Sequence, residues 1–188
     1  MKMNKLQLVV LIAACFVTVL MRVRDMPIRL DSMIALTLLC GAVVRHPAAI
    51  ILPLGIRLLT DVLLWYQTGY GFYSSIVFDY SAYLIIALLA RYCPTPRYLN
   101  MVAGGLLGPC LFFVVSNLGV WVMWPDTYPP TLAGLTHCYV QGLPFLRSSL
   151  AGNLPFALVF LAAWHAATVS AAAGPFTAVN RIDQGNEV

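Results

Sequence analysis

The sequence contains few charged residues: Asp, Glu, Lys and Arg make up 10% of its 188 residues, whereas 61% are hydrophobic. A soluble domain carries about 25% charged residues, because a chain folded in water keeps a polar surface. The shortage excludes an ordinary soluble domain and predicts a membrane protein whose main surroundings are the lipid bilayer. The net charge is +4, but the basic residues lie scattered at the ends of apolar runs, so we expect no nucleic-acid binding.

Motifs for catalysis and for metal binding are also missing. The sequence has no Gly-x-Ser-x-Gly nucleophile elbow, no His-Glu-x-x-His, no phosphate-binding glycine loop and no Cys-x-x-Cys pair among its five cysteines. His137 and Cys138 could in principle hold a metal or a corrinoid, although adjacent side chains usually point apart. We therefore expect no enzyme activity, no bound metal and no cofactor.

Six segments are apolar enough to span a bilayer, for which a helix needs roughly 20 residues. They are residues 6–21, 28–44, 48–66, 72–90, 98–124 and 154–173. The first run continues past Cys15, so it predicts a retained helix rather than a cleaved signal peptide. Residues 125–153 are richer in polar residues, Pro and Gly, and we predict a loop there that contains an amphipathic or re-entrant helix. The sequence thus predicts one all-α transmembrane domain over residues 1–174, followed by a polar, mobile tail over residues 175–188.

The basic residues outside these spans predict the orientation of the chain. With the N-terminus inside, six basic residues lie on the cytoplasmic side and four on the outer side. The inner set is Lys2, Lys5, Arg45, Arg91, Arg97 and Arg181, and the outer set is Arg22, Arg24, Arg29 and Arg147. The excess predicts that both termini are cytoplasmic.

Three ionisable residues stand out in the interior of the predicted spans: Arg57, Asp61 and Asp79. Each costs roughly 2.5–3.5 kcal/mol on insertion scales, so each needs a structural or functional reason. Arg57 and Asp61 are four residues apart on one helix, and this spacing predicts a structural ion pair. In the predicted orientation, Asp61, Asp79 and the amide of Asn117 all lie in the outer half of the membrane.

The residues above this level are aromatic or basic and could cover a ligand. Aromatic rings suit stacking on a flat solute. We therefore predict an outward-facing binding pocket, and the candidate ligand-binding residues are Asp61, Asp79, Asn117, Trp121, Tyr128, His137, Tyr139 and Arg147. The alternative is that the buried polar groups only form hydrogen bonds between helices and fix their packing.

Several stretches of the C-terminal half resemble the signature of a known group of proteins. They are Ser116-Asn117-Leu118-Gly119-Val120-Trp121, the segment 128–135, Cys138-Tyr139 and the segment 143–147. The chain resembles a family of small bacterial membrane proteins of unknown function, which is similar to the S components of energy-coupling factor (ECF) vitamin transporters. The resemblance implies a six-helix S-component-like bundle in the bacterial inner membrane, with cytoplasmic termini and an outward-facing pocket. It also implies ECF-type energising subunits as partners, but the Ala-x-x-x-Ala docking pattern is absent from the first helix, where Ala13-Ala14 is followed by Phe16 and Val17.

The function that we expect is therefore binding or uptake of a small, vitamin-like solute. The alternative is a structural or assembly protein of the cell envelope or of the cell-shape machinery, on the same fold. An intramembrane aspartyl protease is the least favoured, because neither Asp61 nor Asp79 lies in the Gly-x-Gly-Asp sequence expected of such an enzyme.

Overall fold

The computed structural model describes residues 3–24, 31–44, 46–92 and 98–173, and these residues form six α-helices. The helices are α1 (Lys5–Val23), α2 (Met33–Val43), α3 (Ala48–Thr68), α4 (Ile76–Arg91), α5 (Tyr98–Met123) and α6 (Leu132–Ala173). Four segments are long and apolar enough to cross a membrane: all of α1 and α3, Met101–Met123 of α5 and Leu132–Ala171 of α6. The prediction of an all-α membrane protein with about six helices is confirmed.

Successive helices run in alternating directions, so the bundle has two ends. At one end, which we call the α3–α4 end, a β-carbon added at Gly119 of α5 would lie 2.5 Å from the ring of Phe78 in the first turn of α4. At the opposite end, the side-chain amide of Asn4 donates to the carbonyl of Ala167, near the end of α6 (3.2 Å). Asn4 and Gln7 also form a capping box that fixes the start of α1.

Helix α2 lies at the centre of the bundle. All residues from Met33 to Gly41 are buried, as expected for a helix that is apolar on every side. Small residues let its neighbours come close: β-carbons added at Gly104 and Gly108 of α5 would lie 2.9 Å from Leu38 and 2.7 Å from Ile34. These two glycines are a small-xxx-small pair, and the structure places both against α2.

The outer helices expose apolar side chains, as a bilayer requires. Val9, Ile12 and Phe16 on α1 are 59–62% exposed, and Ile51 on α3 and Leu107 on α5 are each 67% exposed. In water such surfaces would favour aggregation, whereas hydrocarbon chains solvate them.

Helix α6 corrects the predicted loop at residues 125–153. Only residues 124–131 connect α5 to α6, and the chain is helical from Leu132 onward, through Pro144 and Pro155. The prediction treated Pro and Gly as helix breakers, as they are in water, but both are more frequent in membrane helices. In lipid an unpaired backbone is so costly that the helix is retained and neighbouring groups satisfy the freed carbonyls. The 42 residues of α6 extend about 63 Å at 1.5 Å per residue, about twice the hydrocarbon thickness of a bilayer.

One other boundary differs from the prediction. Helix α4 begins at Ile76 rather than at residue 72, because residues 69–75 form the turn from α3. Gly69 ends α3 in the left-handed region (φ 76°), which glycine adopts without strain. A β-carbon at Gly71 would lie 2.0 Å from the carbonyl oxygen of Asp61, so the turn packs directly on α3. Residues 28–30, at the start of the second predicted span, and the predicted tail at 175–188 lie outside the described residues.

Candidate functional site

A charge network joins α1, α3 and α4 in the half of the bundle nearer the α3–α4 end. At its centre, both carboxylate oxygens of Asp61 accept hydrogen bonds: Oδ1 from Arg22 (2.7 Å), and Oδ2 from Arg57 (2.9 Å) and from the hydroxyl of Tyr80 (2.9 Å). Asp61 is 1% exposed and Arg57 3%, whereas the Arg22 side chain is 18% exposed. The Arg57–Asp61 ion pair has the four-residue spacing that the sequence predicted, and Arg22 extends it to α1.

Arg57 connects Asp61 to the second carboxylate of the network. Its Nη2 lies 3.5 Å from Oδ2 of Asp79 and donates to the hydroxyl of Tyr73 (3.1 Å). The hydroxyl of Tyr73 in turn donates to Asp79. The guanidinium group also lies over the ring of Tyr83, 5.3 Å from its centroid, which is within the range of a cation–π contact.

The charges of this network balance, because two arginines face two aspartates. Burying a charge in a low dielectric is costly unless it is paired and hydrogen-bonded. Here the pairing is extensive, although the buried Nε atom of Arg22 has no hydrogen-bond partner among the described residues. We interpret the network as a polar link that holds three helices together.

A cavity lies beside this network, between α5, α6 and Asp31, which lies two residues before the start of α2. Its volume is about 210 Å³. Aromatic, hydroxyl, amide and carboxylate groups line it, and the lining residues are Asp31, Pro109, Phe112, Phe113, Ser116, Asn117, Phe145, Leu146, Ser148 and Ser149. Asp31 is held by the start of α2, since its Oδ1 accepts a hydrogen bond from the backbone N–H of Met33 (2.9 Å).

The cavity and the charge network share a wall. The ring of Phe112, which lines the cavity, packs against Tyr83 with centroids 4.9 Å apart. Tyr83 also contacts the Arg57 guanidinium described above. Phe112 and Tyr83 therefore connect the wall of the cavity to the paired charges.

The structure separates the eight candidate ligand-binding residues into several groups. Asn117 lines the cavity. Asp61 and Asp79 belong to the charge network, and their pairing with arginine accounts for their burial. The expected convergence of these three residues in one pocket is not found.

The aromatic residues predicted as a lid instead connect α5 to α6. Trp121 donates from Nε1 to the carbonyl of Pro129 (3.0 Å), and the hydroxyl of Tyr139 donates to the carbonyl of Val114 (2.7 Å). The rings of Tyr128 and His137 lie 5.7 Å apart. These contacts close the α5–α6 connection, and none of these four residues is among those that line the cavity. Three of them, Tyr128, His137 and Tyr139, were predicted to cover the ligand together with Arg147.

The remaining candidates lie on different faces of α6. Arg147 is exposed, outside the cavity that its neighbours Leu146 and Ser148 line. His137 is exposed and Cys138 is buried, where its Sγ donates to the carbonyl of Asn117 (3.4 Å). Within the described ranges, no group of three or more His, Cys, Asp or Glu side chains is placed to hold a metal ion.

The sequence prediction missed the residues that complete the two sites. Arg22 was counted only among the basic residues outside the spans, and Asp31, near the start of the predicted span 28–44, was given no role. Each directly adjoins an apolar run and can reach inward from its end. Tyr73 and Tyr80 had no recognisable signal, because their partners are on another helix or across the α3–α4 turn. Ser149 contributes to the cavity only because α6 is helical where a loop was expected.

Comparison with known proteins identifies a family but no function. No curated protein and no solved structure is significantly similar to the chain. The profile of a family of unknown function, DUF6580, matches residues 2–175. This match confirms the prediction of an uncharacterised membrane-protein family. Because the match covers nearly the whole sequence, the chain belongs to the family of unknown function DUF6580.

Proposed function

We propose that this protein binds a small solute in the cavity between α5 and α6 and takes it up across the membrane. The cavity itself is the observation that carries the proposal, since it combines the carboxylate of Asp31 and the amide of Asn117 with phenylalanine walls. A few polar groups in an otherwise apolar cleft are typical of small-molecule sites. An ionisable residue that lines a cavity within a membrane protein also supports a binding function.

The volume restricts the solute. Sites for drug-sized ligands measure about 300–1,000 Å³, and this cavity measures about 210 Å³. The solute is therefore at the small end of the vitamin-like class that the resemblance to ECF S components suggests.

We place the protein in the bacterial inner membrane with both termini in the cytoplasm. The distribution of basic residues supports this orientation. The cavity is lined by the second half of α5 and by Asp31, two residues before α2, so it lies toward the α3–α4 end. With the N-terminus inside, that end faces outward, and the solute enters from outside. The role is binding and transfer rather than catalysis.

Thermal stabilisation of the purified full-length protein in detergent tests the proposal. A panel of small amines, carboxylates and neutral heterocycles is added to the wild type and to Ser116→Phe, which fills the cavity. Ser81→Phe is the matched control, because Ser81 is on α4 outside the cavity. We expect at least one compound to stabilise the wild type and the control but not Ser116→Phe, and to accumulate in proteoliposomes that contain the wild type. A folded wild type that no compound stabilises would refute the proposal.

One observation favours the second candidate, a structural or assembly protein. Asp61 uses both carboxylate oxygens within the chain, so the most deeply buried charges connect helices instead of facing the cavity. For this role we expect a stoichiometric protein partner to co-purify and Asn117→Ala to leave the cellular function unchanged. ECF-type energising subunits among the co-purified proteins would instead support uptake.

A further inference from the structure

The cavity contains a carboxylate that forms no ion pair within the described part of the chain. This carboxylate is that of Asp31, the only ionisable residue among the described residues that line the cavity, and it is absent from the salt bridges of those residues. One of its oxygens accepts the Met33 N–H. The nearby arginines, Arg22 and Arg57, are already matched by Asp61 and Asp79.

The neutral polar groups of the cavity offer acceptors more than donors. The hydroxyl of Ser116 donates to the carbonyl of Phe113 (3.5 Å), and the hydroxyl of Ser148 donates to the carbonyl of Pro144 (3.2 Å). The amide nitrogen of Asn117 also donates to the Phe113 carbonyl (2.8 Å). A serine hydroxyl that donates its single proton to a helix carbonyl can only accept hydrogen bonds from a ligand. Ser149, whose Oγ accepts from the amide of Asn153 (3.1 Å), and the second N–H of Asn117 can still donate. Acceptors nevertheless outnumber donors in the lining, so a ligand that brings hydrogen-bond donors matches most of the polar groups of the cavity.

The apolar wall suits a positive charge as well. Phe112, Phe113 and Phe145 contribute aromatic side chains to the lining. The face of an aromatic ring attracts ammonium and quaternary ammonium groups, a contact used widely for such ligands. The carboxylate, the lone pairs of the hydroxyl groups and the aromatic walls all favour a ligand with a positively charged donor group.

We infer that the cavity takes a small organic cation, with its ammonium group at Asp31 and its apolar part against the phenylalanine rings. This inference rests on the proposed function, which assigns the cavity to a solute, and adds the charge class of that solute. The volume of about 210 Å³ suits a molecule with one ring or a short chain.

Matched compounds that differ in charge test the inference. Choline is compared with its neutral isostere 3,3-dimethylbutan-1-ol, and benzylamine with benzyl alcohol and benzoate. Dissociation constants are measured by calorimetry on the full-length protein in detergent. Losing a buried charge pair costs 2 kcal/mol or more, so we expect each ammonium compound to bind at least about 30-fold more tightly than its neutral or anionic counterparts.

The variant Asp31→Asn removes the charge but keeps the side-chain oxygen that accepts the Met33 N–H, and Asn forms the same local bond to the backbone as Asp. We expect it to remain folded and to lose the preference for ammonium compounds. Asp126→Asn is the matched control, because Asp126 is exposed in the α5–α6 connection, and it should keep the preference.

The outcomes separate the two proposals. If neutral or anionic compounds bind as tightly as the ammonium compounds, or if Asp31→Asn keeps the preference, the inference is wrong. Should those compounds also fail to bind Ser116→Phe, the solute site of the proposed function stands. If no compound of any charge binds to folded protein, both proposals fail.

Discussion

Replacing Asp61 by leucine tests whether the charge network stabilises the fold. Asp61 is 1% exposed and accepts hydrogen bonds from Arg22, Arg57 and Tyr80 over 2.7–2.9 Å. Leucine has the same branched arrangement of heavy atoms as aspartate, so the substitution removes the charge and both acceptors while keeping the shape of the side chain. Two arginines then lose a carboxylate in the interior of the bundle.

Removing one partner of a buried ion pair costs about 3–5 kcal/mol. Arg57 keeps Asp79 at 3.5 Å, and Arg22 is 18% exposed and can reach solvent or headgroups. We therefore expect a loss near the lower end, about 3 kcal/mol in the free energy of unfolding. The assay is reversible unfolding in mixed micelles with increasing dodecyl sulfate, followed by tryptophan fluorescence and by helical circular dichroism.

The double variant Arg22→Leu/Asp61→Leu provides the control, because it leaves Arg57 facing Asp79 and restores the charge balance. We expect it to be more stable than Asp61→Leu alone. If the two single losses simply add in the double variant, Arg22 and Asp61 are not energetically coupled and the network does not stabilise the fold as we argue.

Two further substitutions test the packing around α2. Gly41→Ala should destabilise the protein by about 1–3 kcal/mol, because the new β-carbon would lie 2.5 Å from that of Ala90. Gly55→Ala is the control and should be neutral or stabilising, because its new β-carbon would have no neighbour within 4 Å. Equal effects of the two variants in the same unfolding assay would contradict this packing. Asn153→Leu should cost about 1–3 kcal/mol, since the fully buried Asn153 accepts the Ala35 N–H at 3.1 Å. An unchanged rate of amide exchange at Ala35 in this variant would show that the side-chain bond does not protect the start of α2.

Much of the fold could be predicted from the sequence, because a bilayer imposes a length of about 20 apolar residues on each crossing helix. That rule located α1, α3 and α5 within a few residues. The prediction failed at α6, because proline and glycine were treated as helix breakers, which they are in water but not within this membrane helix. The central position of α2 was not predicted either, since the hydropathy of a segment does not distinguish lipid from protein neighbours.

The sites were less predictable, because most of their contacts are between helices. The ion pair of Arg57 with Asp61 follows from a local spacing of four residues. The contact of Arg22 with Asp61 spans 39 positions, and no periodicity indicates which helices touch. Asp31 was overlooked for a similar reason: a charge at the edge of a span usually marks the membrane surface, and only the packing of α5 and α6 around it creates a cavity.

The local pair on α3 also has a consequence for biosynthesis. Each lone charge at the centre of an inserting helix costs roughly 2.5–3.5 kcal/mol, and α3 carries two charges of opposite sign one turn apart. Because Arg57 and Asp61 can pair within the helix, α3 can leave the translocon as a neutral segment before α4 has been synthesised. Arg22 of α1 is already in the membrane when this pair arrives, and Asp79 joins the pair once α4 follows.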